Sequence, residues 1–321
     1  MRRAMFVLGL LVAILTVSGL SLAQEAEIAH VRFVHAGAEL NTATLFINDQ
    51  ITEVQNVPYR TVSDWYSLRA DNVYNFSVGL GGGDANFQVN KRLIAGEWIT
   101  LQLNPAAGTG RPTLTATNTP ARVRVAHLAQ GTGAVDVFIN EELTDITALS
   151  FGSITPLIEL PVGVTQLSVG ATGDSPSLNV SANLRAGTEN TIVAVGSPDG
   201  NRVQLRVISE DYGVLDANFA RVTVLHAIPG LLPVNVVVNE GTFIQNLAFP
   251  GTLGNNDGVD AFETPAGTYD LQVVSTVDPS VEYFDVPDVL LAGNRAYFIA
   301  AYGIPGNAQL LVTNVDAADL P

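Results

Sequence analysis

Apolar and polar side chains alternate through Ala121-Arg122-Val123-Arg124-Val125-Ala126-His127. Val123, Val125 and His127 fall on one side and Arg122, Arg124 and Ala126 on the other, the period of a half-buried strand. A second β-rich run, Val135-Asp136-Val137-Phe138-Ile139, follows and stops at Asn140. The same two-element pattern stands at Val31-Arg32-Phe33-Val34-His35 with Leu45-Phe46-Ile47-Asn48. It stands again at Ala220-Arg221-Val222-Thr223-Val224-Leu225-His226 with Val236-Val237-Val238-Asn239. In all three the asparagine lies 13 residues after the histidine. A fixed internal spacing of this kind predicts one structural unit copied in tandem.

The later segments of each unit agree. Leu160-Pro161-Val162-Gly163 and Thr264-Pro265-Ala266-Gly267 read as turns, proline setting φ at the entry and glycine supplying the exit. The first unit has Arg69-Ala70-Asp71-Asn72 there and has diverged. Ala95-Gly96, Ala186-Gly187 and Ala292-Gly293 each precede another strand. Short strands at regular spacing with no long helical period predict an all-β chain of three tandem antiparallel, Ig-like β-sandwich domains. Their expected bounds are 24–118, 119–214 and 215–321. The brief junctions predict semi-rigid beads in series.

The A-R-V-R-V-x-H opening, the V-D-V-F-I-N strand, the L-P-x-G turn and the late A-G strand resemble the bacterial domain-of-unknown-function family 4397, in three copies. That resemblance implies an exported, β-rich envelope or extracellular protein and carries over no catalytic residue.

Residues 1–23 read as a secretory signal peptide: Arg2 and Arg3, an apolar stretch from Met5 to Val17, then small residues at Ser21-Leu22-Ala23. Secretion or envelope localisation follows, with no membrane span once the signal is cleaved. Absence of cysteine excludes thiol catalysis and cysteine-ligated metal. The net charge of −16 argues against nucleic acid as a partner, since an acidic surface repels phosphate backbones. The last unit is the most acidic, with 12 acidic residues against 2 basic.

Candidate chemistry is sparse. His35, His127 and His226 repeat on an apolar face and read as hydrogen-bonded structural residues at strand ends. Asn48, Asn140 and Asn239 read as hairpin-turn residues that tolerate positive φ. Asp257, Asp260 and Glu263, beside Asn255-Asn256, form an acidic loop able to offer oxygen ligands to calcium; no other cofactor is expected. Trp65, Tyr66 and Trp98 concentrate in the first unit, where aromatic faces suit a polysaccharide or a protein partner. Neither a Gly-x-Ser-x-Gly elbow nor a His-Glu-x-x-His occurs, so a non-enzymatic structural, adhesive or ligand-binding role is expected. The alternatives are a carbohydrate-binding array and a calcium-dependent adhesin.

Overall fold

The computed structural model describes residues 28–37, 42–106, 111–197, 203–210, 215, 218–251 and 257–316. Every regular element among them is a β-strand, and no helix among them is long and apolar enough to cross a membrane. The expected signal peptide and Asn255-Asn256 lie outside the described residues.

Six sheets pair into three sandwiches. In the second, one sheet follows the order Ser153–Ile154, Ala121–Ala129, Glu189–Gly196, Gln204–Glu210, with Ile158–Leu160 also on Ala121–Ala129. The facing sheet follows Glu142–Leu143, Val135–Ile139, Gly163–Ala171, Leu178–Leu184. The first sandwich repeats this path with Tyr66–Arg69, Ile28–His35, Trp98–Asn104, Thr113–Asn118 opposite Gln50–Ile51, Thr42–Ile47, Val73–Leu80, Ala85–Arg92. The third uses Val259–Pro265, Phe219–Ala227, Arg295–Ile304, Asn307–Asp316 opposite Gly241–Leu247, Val234–Val238, Gly267–Ser275, Glu282–Leu291.

Antiparallel pairing, as expected, forms all but one of the ladders in each sandwich. The exception joins the opening strand to the penultimate one in parallel, setting Arg32 beside Thr100, Arg124 beside Thr191 and Thr223 beside Phe298. Parallel neighbours need a long crossover, which is here the excursion through the facing sheet. The opening strand therefore sits centrally in a sheet that lacks the second strand. An immunoglobulin constant domain keeps its first two strands in one sheet, whereas here they lie in facing sheets.

Inward residues of the two sheets meet in one core per sandwich. Val31, Phe33, Leu101 and Leu103 meet Leu45, Phe76 and Val78 in the first. Val123, Val125 and Ile192 meet Val137, Leu167 and Val169 in the second, and Val222, Val224 and Tyr297 meet Val234 and Val236 in the third.

A further core joins the second sandwich to the third. Ala126, Leu128, Val193, Val195 and Ile208, on the outer side of one sheet, pack with Leu225, Ala227, Phe298, Ala300 and Tyr302 of the other. Phe151 and Tyr302 meet edge to face at 5.3 Å between ring centroids. This contact explains why Glu189–Gly196 is buried along its whole length and Ala121–Ala129 along nearly all of it, where alternation predicts one wet face. A parallel pair covered on both sides takes apolar residues on both. These two sandwiches are thus packed sheet to sheet, not joined only through a linker as beads would be.

Candidate functional site

The outer faces of the first and second opening sheets carry different side chains at matched register. In the second, Arg124 Nε donates to Thr191 Oγ1 at 2.8 Å, and Arg124 Nη2 donates to Glu210 Oε1 and Oε2 at 2.9 and 3.1 Å. One register step away, Arg122 Nη2 stands 2.5 Å from Glu189 Oε1. Glu189 and Glu210 are themselves cross-strand neighbours, so each buried carboxylate needs its own arginine. Burial pushes the Glu210 carboxyl above its usual range, and Arg124 and Thr191 pull against that. The Arg124 guanidinium also lies 5.1 Å over the Phe298 ring of the third sandwich. This polar group belongs to the contact between two sandwiches.

In the first sandwich the same positions hold other chemistry. His30 stands where Arg122 stands, and Trp98 where Glu189 stands. Their rings stack at 3.9 Å with 23° between planes, and Ser67 Oγ lies 3.2 Å from His30 Nδ1. Trp65 meets Trp98 edge to face at 4.8 Å, and the Arg32 guanidinium lies 4.8 Å over Trp65. Arg32 Nε donates to Thr100 Oγ1 at 2.9 Å, and Thr100 and Thr119 hydroxyls are 2.6 Å apart. The guanidinium also rests against Gly187 of the second sandwich, at a spot a Cβ would fill. Half-buried Trp65, Trp98 and His30 continue into Gln102 and exposed Thr113, Thr115 and Thr117. The result is an aromatic and hydroxyl-bearing face. Burial lowers the His30 imidazole below its usual value, which favours a neutral stacking ring.

Tyr66, grouped with the tryptophans on sequence, belongs to the other side. It stands opposite Val31 and packs against the first core. Trp65, just before the strand Tyr66–Arg69, lies on the outer side against Trp98 and Arg32, so the two neighbours do not share a face. His30, left out of the expected site, takes that place; its two-residue offset from Arg32 is the signal that would have found it.

The three acidic residues expected to bind calcium fall on different sides of the strand that carries two of them. Asp260 stands opposite Val224, on the core side, whereas Glu263 stands opposite Arg221, on the outer side. Arg221 Nε donates to Glu263 Oε1 at 2.9 Å, and Asp257 Oδ1 accepts from the Val259 amide at 3.1 Å. Among the described residues no group of three or more histidines and carboxylates converges on a point.

The three histidines are buried at the ends of their strands. His127 Nε2 is 2.9 Å from the Gly133 carbonyl. His226 Nε2 lies 3.4 Å from the Leu232 carbonyl, and the Ile228 amide donates to its Nδ1 at 3.3 Å. Burial lowers the pKa of both. His35 meets the Tyr59 ring at 5.9 Å. The rings of His127 and His226 tie a strand end to the loop after it.

A match to known sequences adds to this geometry. The description Domain of unknown function (DUF4397) fits residues 121–224 and again 220–321. The chain belongs to the DUF4397 family. Among curated proteins none matches it. Two solved structures align loosely. The Bacillus anthracis TIE protein is 12% identical at a TM-score of 0.22, over 87% of this chain and 50% of that one. A Bacteroides thetaiotaomicron DUF1812 structure, described as a proposed polysaccharide-binding protein, is 10% identical at 0.21, over 60% and 96%. Such scores carry no argument about fold or function.

Within the DUF4397 matches and in the first sandwich alike, the repeated asparagine does more than turn the chain. Asn48, Asn140 and Asn239 have φ of 50°, 50° and 46°, and Asp49, Glu141 and Glu240 after them are also positive. Two positive-φ central residues make the two-residue hairpin turn favoured by strand twist. Each asparagine Oδ1 also accepts from a backbone amide of the neighbouring strand: Asn75, Gln166 and Asp270, at 2.9, 3.0 and 2.9 Å. A second repeated device has no counterpart in the sequence pattern. Thr44, Asp136 and Asn235 each accept from the amide of a positive-φ residue, namely Asn56, Ala148 and Asn246. Asp136 takes a further bond from the Gly173 amide at 2.8 Å. The Gly173 and Ala148 amides hold its carboxyl below the usual range.

Proposed function

We propose that this is an exported, non-enzymatic binding protein of the cell envelope or exterior, built from three copies of the DUF4397 domain bounded near 24–118, 119–214 and 215–321. In this reading the second and third copies form a stiff support. The outer sheet face of the first copy, around Trp65, Trp98 and His30, meets a polysaccharide. The observation that carries it is the contrast at matched register: two of the three outer faces cover one another, while the first bears half-buried aromatic rings flanked by hydroxyls and amides. Aromatic faces with polar edges suit the apolar faces and hydroxyl rims of sugars. The acidic charge directs the choice toward neutral or basic glycans.

The test is retention of the full chain on insoluble polysaccharides, such as cellulose, chitin and purified envelope glycan, beside Trp65→Ala and Trp98→Ala variants of unchanged circular dichroism. Retention lost by about tenfold or more in either variant supports the reading. Retention that survives both substitutions overturns the assigned face. No retention on any glycan, with the chain held by intact envelopes, replaces it with an adhesive or structural role spread over all three sandwiches.

A further inference from the structure

The third sandwich is closed differently from the other two. In the first, the edge strands Ala85–Arg92 and Thr113–Asn118 pack against each other across the sandwich, and in the second Leu178–Leu184 and Gln204–Glu210 do the same. In the third, the matching strands Glu282–Leu291 and Asn307–Asp316 make no comparable contact, and the sheets close instead at Gly241–Leu247 and Val259–Pro265. Between the separated edges lies a cavity of about 170 Å³. Val222, Phe262, Phe284, Val289, Tyr297 and Leu310 are among its walls. Leu290 and Val312 line its mouth at 68% and 55% exposure.

We propose that this cavity is a binding site for a small, uncharged aromatic molecule, or for one such ring on a larger ligand. Size sets the first limit. An apolar cavity of roughly 150 Å³ stays dry and accepts benzene, whereas sites for drug-sized ligands run to several hundred Å³. Chemistry sets the second. Gln272 and the Tyr297 hydroxyl are the polar groups among the lining side chains, and that hydroxyl already accepts from the Ala292 amide at 2.9 Å. Gln272 Nε2 reaches back toward Asp285 at 3.4 Å. Charge sets the third, because the lip strand carries exposed Glu282, Asp285 and Asp288, which oppose an anionic group at the entrance. A ring entering here fills the apolar space and removes the exposed lip from water.

The site is separate from the aromatic face of the first sandwich, so each stands or falls alone. The experiment titrates the full chain with indole, with benzoate and with decanol, following valine and leucine methyl resonances and the thermal midpoint. Saturable shifts confined to Val222, Val289 and Leu310 with indole are expected, with benzoate binding about tenfold weaker or more and a midpoint that rises with indole. Ala301→Phe, whose ring would occupy the cavity, is expected to abolish the shifts; Val289→Phe at the half-buried wall serves if the first variant does not fold. Absence of saturation by indole, equal binding of benzoate, or shifts that persist in a folded filled variant would overturn the proposal. Saturation by decanol alone would replace the ring with an alkyl chain and overturn it as stated.

Discussion

The outer face of the first opening sheet and that of the second share one backbone register and one bond, from Arg32 to Thr100 and from Arg124 to Thr191, and differ around it. Where the second has Ala126, Val193, Val195 and Ile208, the first has Val34, Gln102, Asn104 and Thr117. Where the second pairs Arg122 with Glu189 and Arg124 with Glu210, the first stacks His30 on Trp98 and rests Arg32 on Trp65. Since the ladders match, the backbone does not dictate the use. What decides is whether another sheet lies on top. Covered faces need apolar contact and matched charge, while an uncovered one keeps hydroxyls, amides and rings that water tolerates.

Removing one buried partner should separate the two faces most sharply. Arg124→Ala leaves the buried Glu210 carboxylate without its cation and is expected to cost about 3–5 kcal/mol in urea unfolding. Replacing Arg124 and Glu210 together by leucine should be near neutral. Arg32→Ala loses a hydrogen bond from a charged donor and a ring contact, about 2 kcal/mol. An Arg32→Ala loss equal to that of Arg124→Ala would remove the distinction between the faces. Phe298→Ala, in the shared core, should cost about 3–5 kcal/mol. It should also split unfolding of the second and third sandwiches into two transitions in place of one.

A control belongs where the sandwiches agree. Asn48→Ala, Asn140→Ala and Asn239→Ala each force alanine into positive φ and delete a cross-strand bond, for about 2 kcal/mol apiece. The three losses should agree to within about 0.5 kcal/mol; a wide spread would mean the turns are less alike than their geometry.

The smallest expected effect is in pH. The folded-state pKa of Asp136 is depressed, so its contribution is present above the unfolded carboxyl value and is lost as pH falls through the folded one. Glu210 is raised, so its contribution has the opposite sign: it is present below the unfolded value and lost as pH rises through the folded one. The first sandwich carries Thr44 and Thr119 at these places. Asp136→Asn should flatten the acid limb of stability for the second sandwich and leave the first unchanged. An unaltered limb would show that other carboxylates govern it.

Much of the fold was legible. The alternation from Ala121 to His127 located a strand, and the 13-residue offset from His127 to Asn140 located the hairpin turn after the next one. The parallel ladder was not legible, because Arg124 and Thr191 lie 67 residues apart and no local pattern names a non-local partner. The second buried face was hidden by its arginines. Arg122 and Arg124 read as solvated, and only the later Glu189 and Glu210, strands away, neutralise them. At the aromatic site the tryptophans could be read from composition alone. Separating Trp65 from Tyr66 needed the strand phase, and bringing in His30 needed the neighbouring strand.

The same register that sets Arg122 beside Glu189 and Glu189 beside Glu210 puts the entry and the exit of the chain at one end of the second sandwich. A mechanical load drawn between those points does not shear the central parallel ladder. It tugs at the last residue of an edge strand, the geometry in which hydrogen bonds open in succession. That last residue is Glu210, which three bonds to Arg124 and Thr191 hold by its side chain. Under tension, the side-chain latch at the doorway meets the force before the backbone zipper behind it does.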